Sequence, residues 1–353
     1  MSQMPTITGL LEKAHAQFRV FDMGRRVTQL PASLFVQVEE GERPYPYPMQ
    51  RRAWLGFLFW DPKQADQHFV WFLRFPLDEL AQLQLAARDE FLDSVLQSLG
   101  NQPHQEGARI EQAHQESRFA FKPREERLAA FHAQALTALK SAPTRYYAHA
   151  REYLAGKTGF EQWAFVGLQG LADVVARLEQ ENNASLLTQA IPRLPSEPLI
   201  ALCQLMENTV LNLSVARALR SRLIQAMDQS EIDIGEIAAL LRGLGATDRS
   251  GTRADAYGAV LDSKWRYELE ILVAISGRGW GALCDPELRL RFLECLARCQ
   301  AVEGVFSQVV ADLLFIPGMR PMLLESFRSP ERSAELTRAI GELMDGVTNA
   351  FQS

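Results

Sequence analysis

Gly156, Lys157 and Thr158 come nearest in this chain to the end of a phosphate-binding loop, in which glycine backbone cradles phosphates and the lysine reaches them. That chemistry needs a second Gly five positions before Gly156 and a strand ahead of it. Arg151 stands there instead, in a helical stretch carrying Tyr146, Tyr147 and Tyr153, so Gly156 reads as a helix stop. Gly277, Arg278, Gly279, Trp280 and Gly281 superficially resemble a dinucleotide-binding turn, but they follow a helix and lack the final glycine spacing. The favoured reading is an inter-helix turn anchored by Trp280, with a ligand-contacting loop as the alternative.

Metal and nucleophile chemistry fare no better. All six histidines precede residue 150 and all four cysteines follow residue 200, so sequence neighbours cannot build a mixed His/Cys site. His104 and His114 sit in a polar stretch and read as solvated, while His132 and His149 lie on helices that nothing in the sequence brings together. Cys295 and Cys299 are one helical turn apart and read as buried apolar thiols, because no CxxC spacing occurs. HExxH, GxSxG and EF-hand patterns are absent. Asp312 stands between apolar residues, but helical geometry turns it away from Val305, Val309 and Leu313. No metal, no cofactor and no catalytic residue is therefore assigned.

Recognition chemistry is better represented. Pro44, Tyr45, Pro46, Tyr47 and Pro48, followed by Met49, Gln50, Arg51 and Arg52, favour an extended path with little ordering cost, and the tyrosines supply amphipathic contact area. The loop is either a recognition surface or a rigid crossover whose tyrosines pack on a sheet. Tyr45, Tyr47, Arg51, Arg52 and Trp280 are the partner-binding candidates.

The elements that must position these residues fall into two regimes. Before residue 100, Phe18 to Phe21, Leu34 to Val38, Trp54 to Trp60 and Phe69 to Phe75 are short, rich in Phe, Trp and Val, and bounded by Gly, Pro and Asp. They predict a four-stranded, mostly antiparallel sheet. The last two form a hairpin across a polar link from Asp61 to Gln67, and their nearly uniform apolarity predicts cover on both faces, or by helices on one face and by a partner on the other. Helices are expected over Ile7 to Ala16 and Leu77 to Leu99. Asn101 to Ser117 is rich in Gln, Glu and His and reads as a linker.

Beyond it the period becomes helical. Helices are expected from Pro123 to Lys140, Arg145 to Leu154, Phe160 to Glu179 and Ser185 to Ile191. Between residues 195 and 328 they pair: Pro198 to Met206 with Leu213 to Ile224, Ile234 to Leu244 with Ala254 to Leu261, Tyr267 to Ile275 with Leu288 to Leu296, and Val305 to Ile316 with Met322 to Phe327. Successive pairs begin roughly 35 to 40 residues apart, near the spacing of two-helix repeats that bury their apolar faces only by stacking. A last helix, Glu331 to Phe351, caps the end. The fold class expected is α+β: a sheet domain over 1–100, a linker over 101–122, and an all-helical HEAT-like solenoid over 123–353, with a globular helical domain as the alternative.

Composition sets the outer bounds. The 353 residues are 47% hydrophobic and 23% charged, ordinary for a folded chain. A net charge of −6, without any basic run, disfavours nucleic acid, for which Arg25, Arg26, Arg51, Arg52, Arg217, Arg220 and Arg222 are the only raw material. Neither a secretory signal nor the ~20 apolar residues of a membrane span is present, so a cytoplasmic protein is expected.

The strand Trp-Leu-Gly-Phe-Leu-Phe-Trp-Asp-Pro from Trp54, with its continuation Phe-Val-Trp-Phe-Leu-Arg-Phe-Pro-Leu-Asp from Phe69, resembles a family of uncharacterised bacterial proteins of about this length. The resemblance implies similarity over most of the chain and carries no catalytic residue with it. The function expected is a non-enzymatic interaction or scaffold protein that binds another protein, with self-association left open. The alternatives are an enzyme with an interdomain site built from residues distant in sequence, and an RNA-associated accessory protein.

Overall fold

The computed structural model describes residues 6–64, 67–100, 116–247 and 251–350. They form two compact units, Met1–Arg124 with Phe315–Pro317, and Glu125–Leu314 with Gly318–Ser353. Most of the expected linker, including His104 and His114, lies outside the described residues.

The first unit is built on an antiparallel sheet of four strands in the order β2-β1-β3-β4, with β1 Gln17–Asp22, β2 Thr28–Leu30, β3 Arg52–Trp60 and β4 His68–Pro76. The hairpin register runs from Trp60 opposite His68 to Arg52 opposite Pro76. Alternation then sends Ala53, Leu55, Phe57 and Phe59, with Trp71, Leu73 and Phe75, into one core. The other face is covered as well, since Leu58 is fully buried and Phe21 is 1% exposed. On the core face lie α1 (Ile7–Lys13), α2 (Ala32–Glu39) and α3 (Leu85–Gly100). Phe35 meets Phe57 edge-on at 5.3 Å, and Phe91 of α3 meets Trp71 at 5.4 Å.

Two expectations are corrected here. Leu34–Val38 is not a strand but the middle of α2, and the fourth strand is Thr28–Leu30. Pro31 starts the helix, and Phe35, Val38 and Glu39 fall on one buried stripe, so packing overrides the strand preference of the Leu-Phe-Val run. The helix expected from Leu77 begins only at Leu85, because Leu77 and Leu83 bridge each other around a turn closed on the Asp78 carboxylate. Residues 117–121, assigned to the linker by composition, lie along the edge of β4. There the Arg74 N–H donates to the Phe119 carbonyl (2.8 Å) and the Phe121 N–H to that of Phe72 (3.1 Å).

The second unit is all helical among its described residues, and several of its helices start or end on a cap or a stop. The order is α4 (Glu125–Ala138), α5 (Tyr147–Leu154), α6 (Leu168–Ala176), α7 (Asn183–Ala190), α8 (Ser196–Met206), α9 (Leu213–Met227) and α10 (Ile234–Leu244). It continues with α11 (Thr252–Leu261), α12 (Leu269–Arg278), α13 (Pro286–Arg298), α14 (Val305–Leu314), α15 (Met319–Phe327) and α16 (Ala334–Ala350). Asn212, Asp233 and Asp285 each accept the N–H three residues on, at 2.8 to 3.2 Å, and Pro286 occupies the first turn of α13. Gly156, at φ +74°, ends α5: its N–H bonds the Tyr153 carbonyl and that of Lys157 bonds Glu152. That is a left-handed helix stop, as the sequence indicated, and it directs those N–H groups back into the helix.

The helix expected over Phe160–Glu179 is broken into a 3-10 turn, Phe160–Phe165, and α6. Gly167 is extended between them (ψ 130°), and α6 runs so close to Tyr146 that a Cβ at Gly170 would stand 2.5 Å from its carbonyl oxygen.

Packing is by alternate helices. α4 lies on α6, α6 on α8, α8 on α10, and α10 on α12, while α5 lies on α7, α7 on α9, α9 on α11, and α11 on α13. Two ladders result, joined within the pairs α5 with α6, α9 with α10, and α12 with α13. Their apolar stripes close a core that includes Leu199, Leu202, Leu219, Leu240, Ile271 and Phe292, each fully buried.

Candidate functional site

The proline-tyrosine loop is tied into the first unit rather than held away from it. Tyr45 is fully buried, and its hydroxyl donates to Asp22 Oδ1 at 2.5 Å. Burial, and then the Asp22 charge, push that hydroxyl's ionisation well above the ordinary tyrosine range. Arg25, 1% exposed, donates from Nε to the Pro48 carbonyl at 2.6 Å. Asp22 also accepts the N–H groups of Gly24 and Arg26, so one buried carboxylate organises the turn after β1 and the loop together. Tyr45 thus offers no surface to a partner, and Tyr47 is half-buried against the same core. Arg51 (φ 57°) and Arg52 are exposed, and Arg51 stands 3.6 Å from Glu79. The arginine triplet is dispersed: Arg217 is exposed, whereas Arg222 turns inward to Glu236 Oε1 at 2.7 Å.

Trp280 has a different setting. It is half-buried and opens a 3-10 turn, Trp280–Cys284, directly after the C-terminus of α12. Gly279, beside it, is required by contact. A Cβ on Gly279 would fall 2.0 Å from the Tyr257 hydroxyl, which itself donates to the Leu241 carbonyl at the end of α10. Gly245, next after α10, lies against the Arg278 carbonyl, where a Cβ would stand at 2.7 Å. The C-terminal ends of α10 and α12 are therefore pressed together beside Trp280.

The polar centre of this rim is Glu207, which follows the last residue of α8 and is 2% exposed. A carboxylate there is desolvated and faces the negative end of its own helix. Arg242, in the last turn of α10, donates from Nε to Oε2 at 2.7 Å, and Arg278, in the last turn of α12, from Nε to Oε1 at 2.8 Å. Arg127, in the first turn of α4, stands 3.7 Å from Oε1. Burial pushes the Glu207 carboxyl up, but Arg278, Arg242 and Arg127 outweigh it and hold it below the ordinary carboxylate range. Arg253 of α11 joins the rim, donating from Nη1 to the Gly245 carbonyl at 3.0 Å. One ionised carboxylate thus links four helices of one ladder, within an arginine-rich rim that includes Trp280. Among the described residues no three His, Cys, Asp or Glu side chains gather as a metal site.

Of the residues singled out from sequence, Arg278, Trp280 and their neighbouring glycines belong to this rim, although no partner for Arg278 was legible in the sequence; Glu207, Arg127, Arg242 and Arg253 were missed. A signal existed in Glu207, an acid at a helix C-terminus, where the dipole disfavours it. Its partners stand 35 and 71 positions away at the ends of other helices, a convergence that periodicity does not encode.

The molecule is an α+β protein in which an antiparallel sheet unit is followed by helices packed in two ladders. Residues 2–344 match the family described as "Protein of unknown function (DUF3549)", and the chain belongs to that family. No curated protein and no solved structure matches it.

Proposed function

We propose that the chain is a non-catalytic interaction protein whose second unit is a HEAT-like array binding a partner protein. The observation that supports this is the next-but-one packing of α4 through α13 in two ladders. An array grown in this way makes mostly neighbour contacts, and each ladder presents a long surface composed of many short helices. Such surfaces suit extended partners better than small substrates, an argument from architecture that carries over by analogy. Val273 on α12 and Val210 after α8 add exposed apolar points, at 47% and 67%.

The test is photo-crosslinking with a benzophenone amino acid placed at Val273 and, separately, at Val210, in cells expressing the full chain. One protein should be captured from both positions, in near-stoichiometric yield, and excess unlabelled chain should compete it away. Diffuse adducts that resist competition from both positions would overturn the reading.

A further inference from the structure

Two arginines of the rim keep hydrogen-bonding capacity beyond their ties to the protein. Arg242 commits only its Nε to Glu207, and among the described residues its terminal nitrogens have no partner. Its side chain is 34% exposed, against 2% for the carboxylate it holds. A guanidinium bound through Nε turns the edge formed by its two terminal nitrogens away from that bond, and this edge fits a planar carboxylate through two parallel hydrogen bonds. Arg253 is half-buried, bonds the Gly245 carbonyl through Nη1, and has no carboxylate partner among the described residues. Its terminal nitrogens lie 3.6 and 3.7 Å from where a side chain would begin at Gly281, immediately after Trp280. Arg242 lies one turn before Gly245, whose carbonyl Arg253 holds, and Arg253 lies against Gly281 in the turn that carries Trp280, so the three residues share one stretch of rim.

We infer that this rim is the docking site for an acidic peptide segment of the partner. Arg242 and Arg253 receive Asp or Glu side chains, and Trp280 covers an adjacent apolar group. The inference rests on the reading of the chain as a protein-binding array and specifies the chemistry of what it binds.

The shape of the donor edge favours a carboxylate over a phosphate. The two terminal nitrogens of Arg242 match the two oxygens of a planar carboxylate, whereas the further oxygens of a phosphate would be left beside the C-termini of α8, α10 and α12, each carrying roughly half a negative charge, and beside Glu207.

The test is selection of peptides from a random twelve-residue display library on the immobilised full-length chain, with affinities then measured by fluorescence anisotropy. The peptides recovered should share Asp or Glu at one or two fixed positions next to an apolar residue. Arg242→Gln and Arg253→Gln should each weaken binding about tenfold or more, and Arg242→Lys, which keeps the charge without the fork, should lie between. If Arg242→Gln does not fold, Arg253→Gln carries the comparison, because Arg253 makes no bond to Glu207. An acidic consensus indifferent to both substitutions, or a consensus without acids, overturns the docking site and leaves the partner-binding reading standing. Displacement of the peptide by inorganic phosphate as readily as by free acidic peptide reassigns the rim to phosphate and also overturns it. Recovery of no peptide above background counts against both.

Discussion

A carboxylate buried at the end of its own helix is tolerable only while its cations remain, and that makes Glu207 a residue at which the second unit is sensitive to mutation. Truncating Glu207→Ala leaves three guanidiniums facing one another, two of them largely buried, a loss of about 3–5 kcal/mol, read as a fall in the urea midpoint. The pH dependence has a definite sign. Because its folded pKa is lowered, the Glu207 contribution is complete above the ordinary value of 4.5 and disappears as pH falls through the depressed one. Stability of the wild type should therefore drop more steeply below pH 4.5 than that of Glu207→Gln, and parallel curves would contradict the assignment. Thiol chemistry provides a second check at this scale. Burial pushes the Cys295 thiol up to about 11 and the fully buried Cys203 thiol higher still, whereas Cys284 is exposed. A thiol reagent at neutral pH should label Cys284 quickly and spare Cys203 and Cys295 until the chain unfolds.

Elements in this protein are short, and their ends are specified by chemistry that a sequence displays well. Asp285 followed by Pro286 places an acceptor and a preset φ at the start of α13, and the Leu288 N–H bonds the aspartate at 2.8 Å. Asp285→Ala should cost about 1 kcal/mol, seen as a lowered melting temperature, while Asp285→Asn should recover most of it. Where element identity was misread, the cause is equally local. The run Leu34 to Val38 has strand composition, but helical spacing buries Phe35 against Phe57, and the sheet takes Thr28–Leu30 as its fourth strand instead. Leu77 to Gln84 has helical spacing too, yet Asp78 closes a turn on the N–H groups of Leu80 and Gln82 before α3 can begin.

For the whole molecule, the two units hold different kinds of contact. Unit one is stitched by strand pairing between positions far apart in sequence, such as Val20 with Phe57, and by ring contacts among Phe59, Phe69 and Trp71. Unit two is held by helices packed on near neighbours and by buried ion pairs such as Arg222 with Glu236 and Arg177 with Asp173. Hydrogen exchange followed by mass spectrometry across a urea series should show peptides from 17–76 and from 196–298 losing protection at different urea concentrations. Coincident loss would mean one cooperative block.

Periodicity and punctuation determined the two regimes, the β3 and β4 hairpin, and nearly every helix after residue 123, because these depend on residues within a few positions of one another. They also marked Gly156 as a helix stop and Trp280 as a turn anchor. Tertiary structure alone decided that Tyr45 goes inside, since its hydroxyl has a buried partner in Asp22 waiting 23 positions earlier. It alone brought Arg127, Glu207, Arg242, Arg253 and Arg278 to one rim. Helix stacking sets which helix ends meet, and the electrostatic cost of a buried charge is met by whichever cations that stacking delivers.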